Sequence, residues 1–209
     1  QGVLQLDQFD REQILERKLY EVLNSSISPV MKEPVERSFI NDVAAGTPTP
    51  GGGSASAHTG ALAAALVAMV GRVTLGKKKY IAVEPQMQSL IEKADQLRWK
   101  LAAAVDQDAA AFNQVMAAYK LSKESSIQEQ KRLEAIEQAT LEAAKVPLEV
   151  ARMALQVLEL VVQAASLGNI NAISDAGSGG ALARAALTGA GLNVRINAAA
   201  LQNQTNAAP

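Results

Sequence analysis

The sequence contains no cysteine and a single histidine among its 209 residues, and its aromatic content is only 3%. Without thiols the chain has no disulfide, no thiolate nucleophile and no zinc–thiolate site, and one imidazole excludes a multi-histidine metal site. The formal net charge is −1, so the chain lacks the excess of basic residues that is typical of nucleic-acid-binding proteins. The composition therefore excludes thiolate and multi-histidine metal sites and gives no sign of a nucleic-acid partner.

Apolar residues make up 48% of the sequence, and a large share of them is alanine. With so few aromatic side chains, this composition favours helices that pack closely through small residues. The length is within the range of a single domain and is sufficient to bury a substantial core. The sequence therefore predicts an all-α fold, a bundle of five to seven helices with little or no sheet.

No segment has the features of a membrane span or of a signal peptide. The apolar run at residues 61–70 is too short and too rich in alanine to cross a bilayer. We therefore expect no membrane association and a cytoplasmic location. The chain begins at Gln1 rather than at methionine, and we expect it to be a piece of a longer polypeptide.

The most distinctive stretch of the chain is residues 47–80. Its sequence is TPTPGGGSASAHTGALAAALVAMVGRVTLGKKKY. The prolines favour an extended approach, and Ser54 is expected to cap a helix that ends near Leu75. One side of this helix is smooth, which lets neighbouring helices approach closely and predicts a central position in the bundle. A smooth face of this size also favours pairing with a second subunit, so we expect a homodimer. The small residues are Ala57, Gly60, Ala61, Ala64, Ala65 and Ala68.

The three glycines at residues 51–53 leave two interpretations open. They are either a plain turn before a buried helix, or a platform on which the free N–H groups of the loop and helix start receive an anion or a polar ring. The stretch is not a nucleotide P-loop, because the required spacing of glycine and lysine is absent. Beyond the helix, Lys77, Lys78 and Lys79 suit the negative end of the helix dipole and form the one local basic cluster of interest.

Residues 86–119 show the periodicity of one long helix, with apolar side chains at spacings of three and four. Asp108 interrupts this stripe between Val105 and Phe112, where leucine is expected. A carboxylate there loses part of its hydration and holds a proton more readily, so Asp108 is a candidate general base. Alternatively, Asp108 lies at the edge of the stripe or accepts a hydrogen bond from a neighbouring helix. Asp106 lies on a different face.

The remaining elements follow from periodicity and from proline, glycine and capping residues. A helix up to about residue 24 and a linker at 25–34 form an N-terminal segment, and residues 35–209 form the main helical domain. Pro147 is expected in the first turn of a new helix, and Ser174 or Asp175 is expected to cap the following one. In the main domain, the other predicted helices span residues 38–45, 127–145, 146–168 and 176 onward.

Two asparagines near the end of the chain are spaced so that their side chains can bind the same partner. Asn193 and Asn197 are four residues apart, so their amides lie on one face of a helix, whereas Arg195 points elsewhere. Paired amides suit a heterocycle with alternating donors and acceptors, and they equally suit hydrogen bonds between helices. The residues alone leave both possibilities open.

Four stretches, in order, resemble the formiminotetrahydrofolate cyclodeaminase family, which also includes methenyltetrahydrofolate cyclohydrolases. The first is the glycine-rich stretch at residues 47–80. The others are DQDAAAFNQVMAAYKLSK at 106–123, VPLEVARMALQVLEL at 146–160, and GNINAISDAG with LNVRIN within 168–197. The resemblance extends from about residue 38 to residue 197, which is most of the chain.

This resemblance implies an all-α, dimeric enzyme that converts 5-formiminotetrahydrofolate to 5,10-methenyltetrahydrofolate with loss of ammonia. It implies that Asp108 is the catalytic base, that the lysines attract the glutamate tail of the folate, and that no metal or redox cofactor is needed. The tetrahydrofolate derivative is the substrate itself. The implied substrate-binding residues are Gly51, Gly52, Gly53, Ser54, Lys77, Lys78, Ser174, Asp175, Asn193 and Asn197.

Two other functions remain open at this point. One is hydrolysis of 5,10-methenyltetrahydrofolate to 10-formyltetrahydrofolate, in which the same base activates water. The other is an inactive helical partner protein, favoured by a polar C-terminal tail, LQNQTNAAP, where relatives continue as a helix. The N-terminal text VLQLDQFDREQILERKL resembles the segment that joins a formiminotransferase to a cyclodeaminase, so it favours the deaminase and names a formiminotransferase as a possible partner. His58 departs from the family pattern and receives no role.

Overall fold

The structure is a computed structural model that describes residues 38–201, and within this range helices are the only regular secondary structure, with no strand. The predicted all-α bundle is therefore confirmed. The predicted N-terminal helix, the linker, the boundary at residues 34 and 35 and the tail after Leu201 lie outside the described residues. The helices are α1 (Ser38–Ala44), α2 (Gly52–Arg72), α3 (Glu84–Tyr119), α4 (Ser126–Leu167) and α5 (Ile173–Ala200), with short 3₁₀ helices at Lys78–Val83 and Ile170–Ala172.

The four long helices form a bundle in which each packs on two neighbours. Helix α2 packs on α3 and α5, α4 also packs on α3 and α5, and α2 reaches across the bundle to α4. The pairs Gly52 with Asn193 and Gly60 with Ala186 approach each other, so α2 and α5 run in opposite directions. The start of α2 therefore lies beside the end of α5.

The small residues of α2 explain why its neighbours come so close. A Cβ at Gly60 would lie 3.1 Å from Leu101 Cδ2, and a Cβ at Gly71 would lie 2.6 Å from Ile91 Cγ1 on the same neighbouring helix. The central position predicted for α2 is thus confirmed, but its smooth face is occupied within the chain and supplies no argument for a dimer. The homodimer stays a prediction. The fully buried alanines of α2 are Ala57, Ala63, Ala64 and Ala68.

By length and composition alone, α2 and α4 could each cross a membrane, with mean hydropathies of 1.3 and 1.4 over the most apolar window. In α2, 56% of that window is buried against the rest of the bundle, and a core helix of a soluble protein passes the same test. In α4 the buried share is 33%. The absence of membrane association stays a prediction.

The expectation that Pro147 begins a new helix is wrong, because α4 is one helix of 42 residues with Pro147 inside it. A proline in a helix interior removes the N–H that would bond the carbonyl four residues earlier. That carbonyl belongs to Ala143, and it accepts a hydrogen bond from Asn197 Nδ2 at 3.1 Å instead. Packing of the flanking turns against α3 and α5, together with this replacement bond, lets α4 continue.

Two predicted helix caps are also wrong. Helix α2 begins at Gly52 after Gly51, with no capping side chain, so Ser54 lies within the first turn. Helix α5 begins at Ile173, so Ser174 and Asp175 likewise lie in its first turn and cap nothing. Serine and aspartate fit the first turn of a helix as well as the cap position, and the tertiary packing of the preceding segment decides between the two.

A small ionic cluster ties α2 to α3. Arg72 and Arg98 each donate hydrogen bonds to the carboxylate of Asp95. Burial alone would raise the pKa of Asp95, but the hydrogen bonds and positive charges of Arg72 and Arg98 outweigh it and hold the pKa below its usual value. The cluster therefore stabilises the folded state only while Asp95 is ionised.

Asp95→Asn should make the free energy of unfolding less sensitive to acidic pH. Because the folded pKa is lowered, the contribution is fully present above the unfolded pKa of about 3.9 and is lost as pH falls through the folded value. The variant should be less stable than the wild type at pH 6, and the difference should shrink toward pH 3, as measured by urea unfolding. Asp106→Asn, at an exposed position, is the control. An equal difference at both pH values would contradict the assignment.

Candidate functional site

A cavity of about 330 Å³ lies at the end of the bundle where α2 begins and α5 ends. All four long helices contribute to its wall, together with the segment that leads into α2. Its lining combines small residues, two aromatic rings and a few polar groups. The lining residues are Pro48, Thr49, Gly51, Gly52, Gly53, Asp108, Ala111, Phe112, Val115, Tyr119, Thr140, Ala143, Asn193, Ile196, Asn197 and Ala200.

Asp108 of α3 is held in place by the first turn of α2. Ser54 is fully buried, and its Oγ donates a hydrogen bond to Asp108 Oδ2 at 2.8 Å, with Val105 O at 3.2 Å as a second acceptor. A Cβ at Gly53 would lie 2.6 Å from Asp108 Cγ, so the carboxylate occupies the space that a side chain would fill. Asp108 thus accepts a hydrogen bond from a neighbouring helix and also lines the cavity. Ser54 reaches the site through Asp108 rather than through the cavity wall.

The electrostatics of the cavity are simple. Among the described lining residues, Asp108 alone carries a charge at neutral pH. A single carboxylate in a largely apolar and amide-lined cavity is suited to accept a proton from a bound molecule and to stabilise a positive charge beside it. Asp106, two residues away, is exposed and does not contribute to this wall.

The start of α2 offers backbone donors to the same cavity. The first hydrogen bond inside the helix is Ala55 N–H to Gly51 O at 2.9 Å. The N–H groups that precede it have no partner within the helix, and no side chain caps them. Gly51, Gly52 and Gly53 all line the cavity, so α2 is both a buried central helix and one wall of the cavity. The role of the glycines as a ligand platform stays a prediction.

Asn193 and Asn197 lie together in the cavity wall, as their spacing predicts. Asn193 Nδ2 donates to Gly189 O at 2.9 Å within α5, and Asn197 Nδ2 donates to Ala143 O of α4 at 3.1 Å. Each amide has therefore committed one of its two N–H bonds to the backbone. The acceptor Oδ1 and the second N–H of each side chain remain for a molecule in the cavity.

Three further lining residues escaped the sequence-based prediction. Thr140 of α4 is only 6% exposed and lines the cavity. Phe112 and Tyr119 are partly exposed at the cavity wall.

The signal that could have identified the aromatic pair is present in the sequence. Phe112 and Tyr119 lie on the same stripe of α3 as Asp108, one and three turns further on. Their apolar character made core packing the expected role. No comparable signal marks Thr140, because α4 carries many polar residues and its register against α3 is set only in the folded bundle.

Four of the predicted site residues lie far from this cavity within the chain. Lys77 and Lys78 follow the end of α2, about 30 Å along the axis from Gly52 at a rise of 1.5 Å per residue. Ser174 and Asp175 lie in the first turn of α5, about 27 Å from Asn193 by the same measure. These residues do not line the cavity, and their part in substrate binding stays a prediction.

Other parts of the described chain are weaker candidates for a site. A groove of about 300 Å³ between α3 and α4 is lined by Lys93, Lys100 and Glu159, all of them exposed, and contains no buried polar group. His58 stacks on Phe39 with the ring centroids 4.5 Å apart. Among residues 38–201, no group of three or more histidine, aspartate or glutamate side chains is placed to hold a metal ion. The absence of a metal or cofactor in the reaction stays a prediction.

Comparisons with known proteins agree with this picture. The model of the family described as formiminotransferase-cyclodeaminase matches residues 36–209. A methenyltetrahydrofolate cyclohydrolase of Methylorubrum extorquens is 41% identical over 167 residues, 80% of each chain. The formimidoyltransferase-cyclodeaminase of Rattus norvegicus is 32% identical over 197 residues, which are 94% of this chain and 36% of that protein. The crystal structure of formiminotetrahydrofolate cyclodeaminase from Thermotoga maritima superposes with a TM-score of 0.74 at 34% identity and covers 83% of both chains.

Proposed function

Because the chain belongs to the formiminotransferase-cyclodeaminase family, as its four sequence stretches indicated, we propose that the Asp108 cavity binds a tetrahydrofolate that carries a one-carbon unit on N5. The proposed reaction converts 5-formiminotetrahydrofolate to 5,10-methenyltetrahydrofolate and ammonia. The observation that carries the proposal is the single carboxylate of the cavity, held by Ser54 at 2.8 Å in a wall that is otherwise uncharged. A lone anion suits a reaction whose substrate and product are both cationic at the one-carbon unit.

The proposed reaction balances with Asp108 as the only proton carrier. The substrate reacts as the formimidinium cation, and its N10 attacks the formimino carbon while Asp108 takes the N10 proton. A carbon–N10 bond forms and leaves a neutral intermediate that carries an amino group. Asp108 then returns the proton to that amino group, the carbon–nitrogen bond breaks, and ammonia leaves the methenyl cation. The carboxylate is regenerated, and its negative charge stabilises the cation at each end of the reaction.

The rest of the cavity supplies orientation. Oδ1 of Asn193 and Oδ1 of Asn197 are acceptors for the amino and ring N–H groups along one edge of a pterin. Phe112 and Tyr119 offer apolar faces against which a flat ring or the aminobenzoate lies. The cavity is mostly apolar with a few fixed polar groups, a combination typical of small-molecule sites. Holding N10 against the formimino carbon accounts for much of the rate, because both reacting atoms belong to one molecule.

A second candidate function is hydrolysis of 5,10-methenyltetrahydrofolate to 10-formyltetrahydrofolate. It is favoured by the 41% identity to the Methylorubrum extorquens cyclohydrolase, which matches this chain over 80% of its length. Asp108 would accept a proton from the water that adds to the methenyl carbon. The cyclodeaminase is favoured by the match to the Rattus norvegicus protein, because 197 aligned residues extend into the N-terminal segment that resembles a formiminotransferase junction. An inactive helical partner is the third possibility.

One assay separates the three functions. The purified chain is incubated with 5-formiminotetrahydrofolate while methenyl absorbance and ammonia are followed together, and in parallel with 5,10-methenyltetrahydrofolate. A cyclodeaminase releases ammonia and methenyl product in equal amounts from the first substrate. A cyclohydrolase consumes the second substrate and releases no ammonia from the first. A chain that accelerates neither reaction is the inactive partner, and the proposal is then wrong.

Replacing Lys77, Lys78 and Lys79 with glutamine should leave the affinity for a folate with a single glutamate unchanged. The triplet lies about 30 Å from the cavity within the chain, far beyond the Debye length of ~8 Å at physiological salt. If the lysines attract the glutamate tail, as the family resemblance implies, affinity should fall only for folates with long polyglutamate tails, and added salt should reproduce the loss. Titration of mono- and polyglutamated folates at two salt concentrations measures both effects. Weaker binding of the monoglutamate would contradict the geometry.

Several wider features are proposals of the same kind. We propose a formiminotransferase as a functional partner, since such an enzyme would supply the formimino substrate, and a homodimer as the assembled form. We also propose a cytoplasmic location and a reaction that needs no metal or redox cofactor. Size-exclusion chromatography with light scattering tests the dimer directly.

A further inference from the structure

Pro147 occupies an unusual position for a proline. It is fully buried at the middle of α4, which spans Ser126–Leu167. An interior proline costs about 3 kcal/mol relative to alanine, because it lacks the N–H and its ring crowds the preceding turn. The helix does not stop at this point. The penalty therefore calls for a compensating role.

The backbone carbonyl that Pro147 leaves free is part of the candidate site. In an unbroken helix the N–H of residue 147 would bond the carbonyl of Ala143. Instead, Asn197 Nδ2 donates to that carbonyl at 3.1 Å, across the contact between α4 and α5. Ala143 and Asn197 both line the Asp108 cavity. The missing donor of one helix is thus replaced by a side chain of another, at the cavity wall.

This bond fixes the orientation of the Asn197 amide. A primary amide has an N–H₂ donor on one side and a carbonyl acceptor on the other, and rotation by half a turn exchanges them. A backbone carbonyl only accepts, so the Ala143 carbonyl selects the orientation in which Nδ2 faces α4. Oδ1 then remains as the acceptor for a bound molecule. A carbonyl oxygen has two lone pairs, so an N–H at residue 147 would share this acceptor and weaken the bond that holds the amide.

We propose that Pro147 is a positioning residue for the substrate site: by withholding a backbone donor from Ala143, it keeps Asn197 oriented as a hydrogen-bond acceptor toward an N–H-bearing edge of the substrate ring. The inference rests on the proposed function, since it takes the ligand to be a tetrahydrofolate. It also makes a claim about the protein alone, namely that the amide of Asn197 is held more firmly because α4 supplies no backbone donor to the Ala143 carbonyl.

The test is a double-mutant cycle of Pro147→Ala and Asn197→Ala. Pro147→Ala should unfold at the same or a higher temperature than the wild type, because it restores a helix former and a hydrogen bond. Its affinity for 5-formyltetrahydrofolate, used as a probe without a leaving amine, should nevertheless fall about threefold, because a shared acceptor weakens the Asn197 bond without breaking it. Asn197→Ala should bind at least as weakly. In the Asn197→Ala background, Pro147→Ala should cause no further loss of affinity.

A readout that needs no folate accompanies the cycle. In Pro147→Ala, the side-chain amide resonances of Asn197 should shift and exchange with solvent faster, because their acceptor is shared with a backbone N–H. Pro85→Ala is the matched control: Pro85 lies in the first turn of α3, where no N–H bond is missing, so folate affinity should not change.

The outcomes are distinct. Wild-type affinity in Pro147→Ala, an unchanged Asn197 amide, or a loss of affinity that persists in the Asn197→Ala background would each overturn the role of Pro147 and leave the proposed function standing. A joint loss of stability and affinity that ignores Asn197 would make the proline purely structural. A wild-type chain that binds no tetrahydrofolate would overturn the proposed function, and the folate-positioning role with it.

Discussion

Asp108→Asn is expected to reduce turnover of 5-formiminotetrahydrofolate at least ~100-fold while leaving the fold intact. Asparagine keeps the shape of the side chain, and its Oδ1 can still accept the hydrogen bond that Ser54 donates at 2.8 Å. It cannot accept the N10 proton, and it removes the one negative charge of the cavity. Steady-state kinetics and a thermal melt on the same preparation measure the two parts of this expectation.

The matched control is Asp106→Asn, since Asp106 is the same residue type two positions away and is exposed. Its turnover should stay near that of the wild type. Comparable losses for both variants would contradict the assignment of Asp108 as the base, because the two side chains lie on different faces of α3. A variant of Asp108 within a few fold of the wild type would leave the carboxylate with a structural role only.

Gly53→Ala should have the second largest effect, acting through the position of Asp108. The added Cβ would lie 2.6 Å from Asp108 Cγ, well inside van der Waals contact, so the carboxylate must move. A side-chain end moves at little cost, and alanine favours the helix start over glycine by up to ~1 kcal/mol, so stability should hardly change. Misplacement of a reacting group by about 1 Å can cost ~100-fold in rate, and we expect a loss of that order.

Gly52→Ala is the neighbouring control for this change. A Cβ there would lie 3.5 Å from Asn193 Nδ2, an ordinary contact, so the effect should be milder and should appear in substrate affinity. If Gly53 acts through the carboxylate, Gly53→Ala should add nothing in the Asp108→Asn background. Full activity in Gly53→Ala, or a further loss in that background, would show that the close approach to Asp108 is unimportant.

Local features of the sequence were enough to determine the fold class and the central chemical group. Alanine-rich segments with a helical period predict helices whatever their partners are, because periodicity and propensity are properties of neighbouring residues. The position of α2 at the centre follows from its small side chains in the same way. Asp108 was identifiable because a carboxylate on an apolar stripe is unusual at the level of one helix, and the adjacent glycines were identifiable by their type.

The sequence predicted the ends of the helices less well than their existence. Ser54, Ser174 and Asp175 all have side chains that suit a cap, yet the helices begin two or more residues before Ser54 and before Asp175. Pro147 has the local signature of a helix start and lies in the middle of one. In each case the competing local states differ by about 1–3 kcal/mol, and burial against other helices is large enough to reverse the preference.

The site itself was decided by the tertiary structure. Ser54 meets Asp108, and Asn197 meets the Ala143 carbonyl, across 54 positions of sequence in each case. Such pairs depend on how far one helix slides along another, which is set by close packing across the whole bundle and not by the residues that meet. The same register brings Thr140 into the cavity and leaves Lys77 and Asp175 at the far end of their helices. The sequence by itself therefore determined that a carboxylate and a glycine-rich loop exist in an all-α protein, and only the packing of the helices determined what lies within a hydrogen bond of them.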